Sequence, residues 1–161
     1  MKVNLGDIIL IPLSNGWNAI AKVIFAPIGD FKTGISFIIL GFTQNDNVDL
    51  DELRDKQALP IWDYHDAVLF QIFTGKQNIK SKDWPILGNI STTDEEDKFR
   101  IYQVAGDLYH NETLIGKITP DEYKNYTTLR GSGFGVVDTR LVNTVEAMLL
   151  KNELQVSEVK S

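Results

Sequence analysis

The chain has 161 residues and no cysteine, with 22 carboxylates against 16 Lys and Arg for a formal net charge of −6. A chain of roughly 150 residues makes one domain and buries about two-thirds of its unfolded surface, so it needs no covalent staple. Lack of cysteine excludes disulfides, thiolate zinc sites and cysteine nucleophiles, as suits a reducing cytoplasm, and the acidic balance argues against nucleic acid as a direct ligand.

The opening, 6-GDIILIPLSNGW-17, follows Asn4 and carries Gly6 and Asp7, which interrupt the apolar stretch a signal peptide needs. Its apolar run is also far short of the ~20 residues of a membrane span. The expectation is a soluble, cytoplasmic protein with no membrane partner. The run reads as the first arm of a hairpin, with apolar side chains on both faces and therefore cover from both sides. Asn15-Gly16 predicts a type I′ turn, and 18-NAIAKVI-24 supplies the second arm. Pro12 lacks an N–H and belongs near a strand end or on an edge.

Further strands are predicted at 35–41, 68–74, 86–90, 99–105 and 113–118, where β-branched and aromatic residues lie between Gly, Asn and Asp. Gly106-Asp107 reads as a tight turn. A short helix is expected over 119–126, where Thr119, Pro120 and Glu122 supply N-cap, first position and capping box. A longer amphipathic helix is expected over 139–152. Leu141, Val142, Val145, Met148 and Leu149 form its apolar face, and Asp138 or Thr139 its cap. The predicted fold class is α+β and β-rich. It is a curved, mainly antiparallel sheet or a partly open SH3-like barrel, with the C-terminal helix packed on it. The single domain runs over residues 3–152, with a frayed tail at 153–161.

Charge is distributed unevenly. Seven carboxylates (Asp46, Asp49, Asp51, Glu52, Asp55, Asp63 and Asp66) face two cations, Arg54 and Lys56, within residues 45–66. Such a run is either a solvated loop or a surface that attracts a basic partner and speeds encounter. Aromatics meet it only at Trp62-Asp63-Tyr64, so Asp46, Asp49, Asp51, Glu52, Trp62, Asp63 and Tyr64 are the candidate partner-binding residues. Trp17 and Trp84 read as half-buried core caps.

Other motifs fall short of a chemistry. In 131-GSGFGVVDTRL-141 a dinucleotide fingerprint would need glycine where Val136 stands, and no P-loop lysine follows. The glycines read instead as letting the backbone pass close to the sheet. The stretch 45-NDNVDLDELRDK-56 has Leu50 and Lys56 where an EF-hand needs glycine and glutamate, which leaves only an irregular calcium site open. His65 and His110 each have a carboxylate nearby, but no marked nucleophile completes a triad. No catalytic residue, cofactor or metal is assigned.

Three segments, 6-GDIILIPLSNG-16, 84-WPILGN-89 and 131-GSGFGVVDTRL-141, in this order and at these separations, resemble immunity protein family twenty-six of bacterial polymorphic toxin systems. The resemblance covers roughly residues 3–150. It implies a cytoplasmic, non-enzymatic antitoxin-like protein that binds and neutralises a cognate toxin, and it supplies no catalytic residue. The matched positions, Gly6, Asp7, Pro12, Gly16, Trp84, Gly88 and Gly133, read as structural. Many toxins that act on nucleic acid are basic, so an acidic surface would mimic their phosphate substrate. The oligomeric state is not readable. Two other classes stay open: an SH3-like adaptor or regulatory module without a toxin, and a metal-dependent enzyme using His65 and His110.

Overall fold

The structure is a computed structural model and describes residues 2–62 and 68–154. Its centre is a five-stranded antiparallel sheet. The strands are β1 (Asp7–Pro12), β2 (Asn18–Phe25), β3 (Gly34–Thr43), β6 (Ile72–Gly75) and β7 (Ile86–Asn89), in the order β6-β3-β2-β1-β7. A two-stranded ribbon joins β4 (Ile61–Trp62) to β5 (Val68–Leu69). The second sheet contains β8 (Ile101–Val104), β9 (Asp107–His110), β10 (Thr113–Lys117) and β11 (Thr127–Thr128), in the order β10-β9-β8-β11. Among the named strand pairs only β8–β11 is parallel. Among the described residues three α-helices accompany the sheets: α1 (Leu50–Leu53), α2 (Gln77–Lys80) and α3 (Phe134–Leu150). Both sheets are open rather than closed into a barrel, and the expected α+β, β-rich class holds.

Strand alternation deals residues to two cores. Ile9, Ile11, Ala19, Ala21, Val23, Ile35, Phe37 and Ile39 point to one face. Helix α3 seals that face with Val137, Leu141 and Val145, all fully buried, and Ile79 of α2 joins the same cluster. Ile8, Leu10, Ile20, Ile24, Ile38 and Leu40 point to the other, where Leu50 and Leu53 of the one-turn helix α1 cover part of the surface. The two-sided burial expected of 8-IILIPL-13 is realised. Trp84 is buried between Phe37 and Phe134, edge-on to both. A third cluster, Phe25, Phe73 and Tyr102, joins the two sheets.

Several local expectations are corrected. Asn15-Gly16 does not form a type I′ turn, because only Gly16 takes positive φ (88°). Gly16 N–H donates to Leu13 O (3.2 Å) and Leu13 N–H to Trp17 O (2.8 Å), which makes a three-residue loop with a left-handed bulge residue. Asn15 instead accepts from Trp17 N–H through its side chain (3.1 Å). The two-residue turn with both φ positive lies at Ala105 (50°) and Gly106 (89°), one position before the expected Gly106-Asp107. Pro12 sits at the end of β1, paired with Asn18, where its missing donor is harmless.

The 68–74 strand is split in two by Phe70 and Gln71. The 99–105 strand begins only at Ile101, because Glu95–Arg100 is a 3-10 helix. Residues Pro120–Asn125 also form a 3-10 rather than an α helix, with Glu122 accepting from Thr119 N–H (3.1 Å) as a capping box predicts. Helix α3 starts five residues before the predicted 139, with Gly133 as its N-cap. Asp138 is therefore inside the helix, and its carboxylate ties Ser14 N (2.9 Å) and Oγ (2.7 Å) of the first hairpin loop. At the C-terminal end Leu154, expected in the tail, packs against the first core.

Candidate functional site

The acidic segment is a built turn. Asn45 Oδ1 accepts from Asn47 N–H (3.1 Å), and Asp49 caps α1 by accepting from Asp51 N–H (2.9 Å). These oxygens satisfy backbone donors, which explains why alternating Asn and Asp occur there without an EF-hand. Among the described residues, no group of three or more His, Asp and Glu gathers at metal distance. Leu50 presses on β7 so closely that a Cβ built at Gly88 would collide with its methyl group. Asp46, Asp49, Asp51 and Glu52 are all exposed on this anchored turn. Arg54 reaches Asp51 (3.1 Å) in a pair open to solvent.

Trp62 is anchored elsewhere. Its backbone N–H donates to Thr144 Oγ1 of α3 (2.9 Å), and Lys151 Nζ lies 4.9 Å from its ring centroid. Leu50 and Leu53 belong to the second core, whereas Ile61 belongs to the first. The four carboxylates therefore stand together, and Trp62 is seated against the opposite side of the sheet. Asp63, Tyr64 and His65 lie outside the described residues.

His110, half-buried, places Nε2 2.9 Å from Asp97 Oδ2, and Arg100 Nη1 lies 3.1 Å from Asp97 Oδ1. The hydrogen bond from His110, with lesser help from Arg100, holds the Asp97 carboxyl below its usual range. Arg100 is largely buried and also donates from Nε to Ile24 O (2.8 Å). Burial pushes the Tyr102 phenol above its ordinary range, and its hydroxyl donates to Asn111 O. Of these contacts, the one from Arg100 to Ile24 O ties the second sheet to the first.

The glycine-rich segment is sewn to the edge of the five-stranded sheet. Gly131 bridges Phe73, Ser132 N–H donates to Phe73 O (2.7 Å), and Thr74 Oγ1 donates to Ser132 O (2.7 Å). A Cβ at Gly131, Gly133 or Gly135 would meet nothing, so the close approach expected from the sequence does not explain these glycines. Elsewhere the requirement is real: Gly6 has φ 85°, and a Cβ there would strike Ile90 O.

The feature that sequence reasoning missed is a cleft of about 920 Å³ beside α1, whose lining runs from Lys22 and Ile38 on the second face to Ile72 and to Arg140 of α3. Its floor interrupts the apolar pattern. Lys22, 3% exposed, donates to Glu96 Oε1 (2.9 Å) and Ser91 O (3.1 Å), and Thr93 N–H donates to the same Glu96 oxygen (2.7 Å). Gln71 is buried and accepts from Ser36 Oγ (2.8 Å) through one end of its amide. Around this floor stand Arg54, Lys56, Lys98, Arg130 and Arg140, against Asp55 and Glu95. Of these, Arg54 is already paired with Asp51, and Arg140 Nη1 donates to Ser132 Oγ (2.7 Å). Its apolar lining includes Phe70 and Tyr126, which are 49% and 36% exposed, and Phe99, with Lys98 Nζ 5.2 Å from its centroid. No charge run announces this site, because its cations come from four separated stretches.

Among the described residues no helix is long and apolar enough to cross a membrane. No protein-family model matches the chain, and neither a curated protein nor a solved structure matches it significantly.

Proposed function

We propose that the chain is an immunity protein, which binds and neutralises a cognate bacterial toxin in the cytoplasm by non-covalent contact and without catalysis. The observation that carries this reading is the exposed acidic turn, in which Asp46, Asp49, Asp51 and Glu52 share one support pinned by Leu50 and Leu53. A fixed group of like charges, among which Asp51 pairs with the exposed Arg54, presents a lasting negative potential. Such a potential raises association rates with a basic partner and makes them salt-dependent. A support that needs no ordering on contact also lowers the entropic cost of binding.

The motif resemblance supports the same reading, since several of its positions are scaffold here. Gly6 and Gly16 set the first hairpin, Gly88 makes room for Leu50, and Trp84 fills the sealed core. Asp7, also buried, accepts from Asn4 N–H (2.8 Å) and Asn89 Nδ2 (3.0 Å). The test is binding to the toxin encoded by the adjacent gene, with the chain carrying Asp46→Lys, Asp51→Lys and Glu52→Lys. Asp49 is left intact because it caps α1. The expected result is a slower association rate with a flatter salt dependence. Unchanged kinetics would dispose of the acidic turn as the interface. Failure of the parent chain to bind that product or rescue growth would dispose of the function.

A further inference from the structure

We propose that the cleft accepts an extended segment of the basic partner that the acidic turn attracts. The segment adds as a β-strand between the two sheets, with apolar side chains at alternate positions against Phe70 and Tyr126. This contact rests on the immunity reading and adds a second site to it. The walls of the cleft are sheet edges. Strand β6 ends the order of the five-stranded sheet, and β11 ends that of the four-stranded sheet. Their chains meet in parallel where Gly131 bridges Phe73. Upstream of that join both line the cleft, with Phe70, Gln71 and Ile72 on one wall and Tyr126, Thr127 and Thr128 on the other.

The backbone of β11 has a donor and an acceptor to offer there. Leu129 N–H donates to Gln103 O of β8 (3.1 Å), and successive residues of a strand aim their N–H and C=O groups at opposite edges. Those of Thr128 therefore point away from β8, and Thr128 lines the cleft. Such an edge is a template for another strand. The sheet's opposite edge, β10, is blunted by a bulge between Leu114 and Gly116 and by Lys117. At the floor Gln71 is buried, yet among the described residues only one end of its amide has a partner, Ser36 Oγ. A peptide group can supply the other. Val68, Phe70 and Tyr126 stand exposed in the same cleft, and an exposed apolar group rimmed by polar residues marks an interaction site.

Charge narrows the occupant. Arg54 is held by Asp51 and Arg140 is engaged by Ser132, and the other lining cations, Lys56, Lys98 and Arg130, nearly balance Asp55 and Glu95. Near balance suits an uncharged, apolar insert rather than an ion. Residues 54–58 line the cleft directly after α1, so a basic flank of the insert meets the exposed carboxylates of the acidic turn.

The experiment measures binding of the full chain to the toxin encoded by the adjacent gene, by surface plasmon resonance. Phe70→Ala should weaken binding at least about fivefold, as loss of an apolar anchor does. Thr128→Pro removes an N–H that faces away from β8, and should weaken binding about two- to tenfold. Leu114→Ala on β10 should change nothing, and melting curves report whether each variant is folded. Overlapping ten-residue peptides covering the toxin provide a measurement on the parent chain itself. One is expected to bind, to carry apolar residues at alternate positions, and to lose binding when alternate amides are N-methylated. Parent-like affinity of the cleft variants, with acidic-turn reversals still slowing association, would overturn the cleft contact and leave the immunity reading standing. A parent chain that does not bind the toxin would remove both. No binding peptide, one indifferent to N-methylation, or a loss on Leu114→Ala instead would also overturn the strand in the cleft.

Discussion

The two faces of the five-stranded sheet are built from the same strands, yet they have met different neighbours. On one face β1, β2 and β3 present Ile9, Ile11, Ala19, Ala21, Val23, Ile35, Phe37 and Ile39, and α3 covers them along Val137, Leu141 and Val145. On the other the apolar run gives way at Lys22 and Ser36 to a charged pair and an amide, and the cover opens into a cleft. A sheet face needs a complete apolar lid only where it is dry. Where polar groups are admitted, each needs a partner, and Lys22 finds two and Ser36 one. The difference separates a face that stabilises from a face that has capacity to bind.

The largest test of that contrast is at the charged pair. Glu96→Ala leaves a buried ammonium without its carboxylate, and breaking such a pair costs about 3–5 kcal/mol. Denaturant unfolding should show this loss, and the double variant Lys22→Met/Glu96→Leu should recover most of it. If Glu96→Ala is as stable as the parent, Lys22 is reached by water through the cleft and the face is wetter than its burial indicates. On the sealed face, Leu141→Ala should cost about 2–5 kcal/mol, with no rescue by water, because it opens a cavity in a dry core. A loss below about 1 kcal/mol would mean that α3 settles into the gap, which a tightly packed face does not allow.

The sealed face was legible in the sequence and the open one was not, for a physical reason. The apolar run of β1, closed by a turn signal, and the period-3.6 pattern of α3 are local, so Ile9 and Leu141 could be placed on their elements from neighbouring residues alone. The cleft is assembled from Lys56, Lys98, Arg130 and Arg140, which lie on different segments and carry no mutual signal. The acidic turn sits between these cases. Its charge run was visible, but the seating of Leu50 on one core and Ile61 on the other depends on tertiary packing. That packing separates Trp62 from the carboxylates with which its place in the sequence groups it. Likewise Gly133 caps α3 although Asp138 and Thr139 are better caps by residue type, because the apolar face already begins at Phe134 and Val137.

The register that assigns residues to the two faces is set at the first hairpin, and a one-residue slip would exchange them. Gly16 is the sensitive point, with φ 88° and open space where a Cβ would stand. Gly16→Val should therefore destabilise through backbone strain alone, by about 1–2 kcal/mol, whereas Gly16→Asn should be milder. Thermal melts of the two variants distinguish strain from crowding. Equal losses would mean that space, not positive φ, is limiting.

The smallest effect concerns the rim of the open face, where Asp97 neighbours Glu96 and joins His110 to Arg100. Its carboxyl is held below the ordinary range in the folded chain, chiefly by the hydrogen bond to His110. A carboxyl with a lowered folded pKa contributes stability that is fully present above its unfolded value of about 3.9 and is lost as pH falls through the folded value. Asp121, lowered by the Thr119 hydroxyl, adds a contribution of the same sign, so the comparison must isolate Asp97. Asp97→Asn should lower the melting temperature at neutral pH, and the gap to the parent should narrow as the solution is acidified below that range. Because Asp97 is solvent-accessible, the gap should be small and should shrink with added salt. A gap that stays constant with pH would show that the carboxylate's charge contributes nothing, and that only the shape of the contact holds this rim in place.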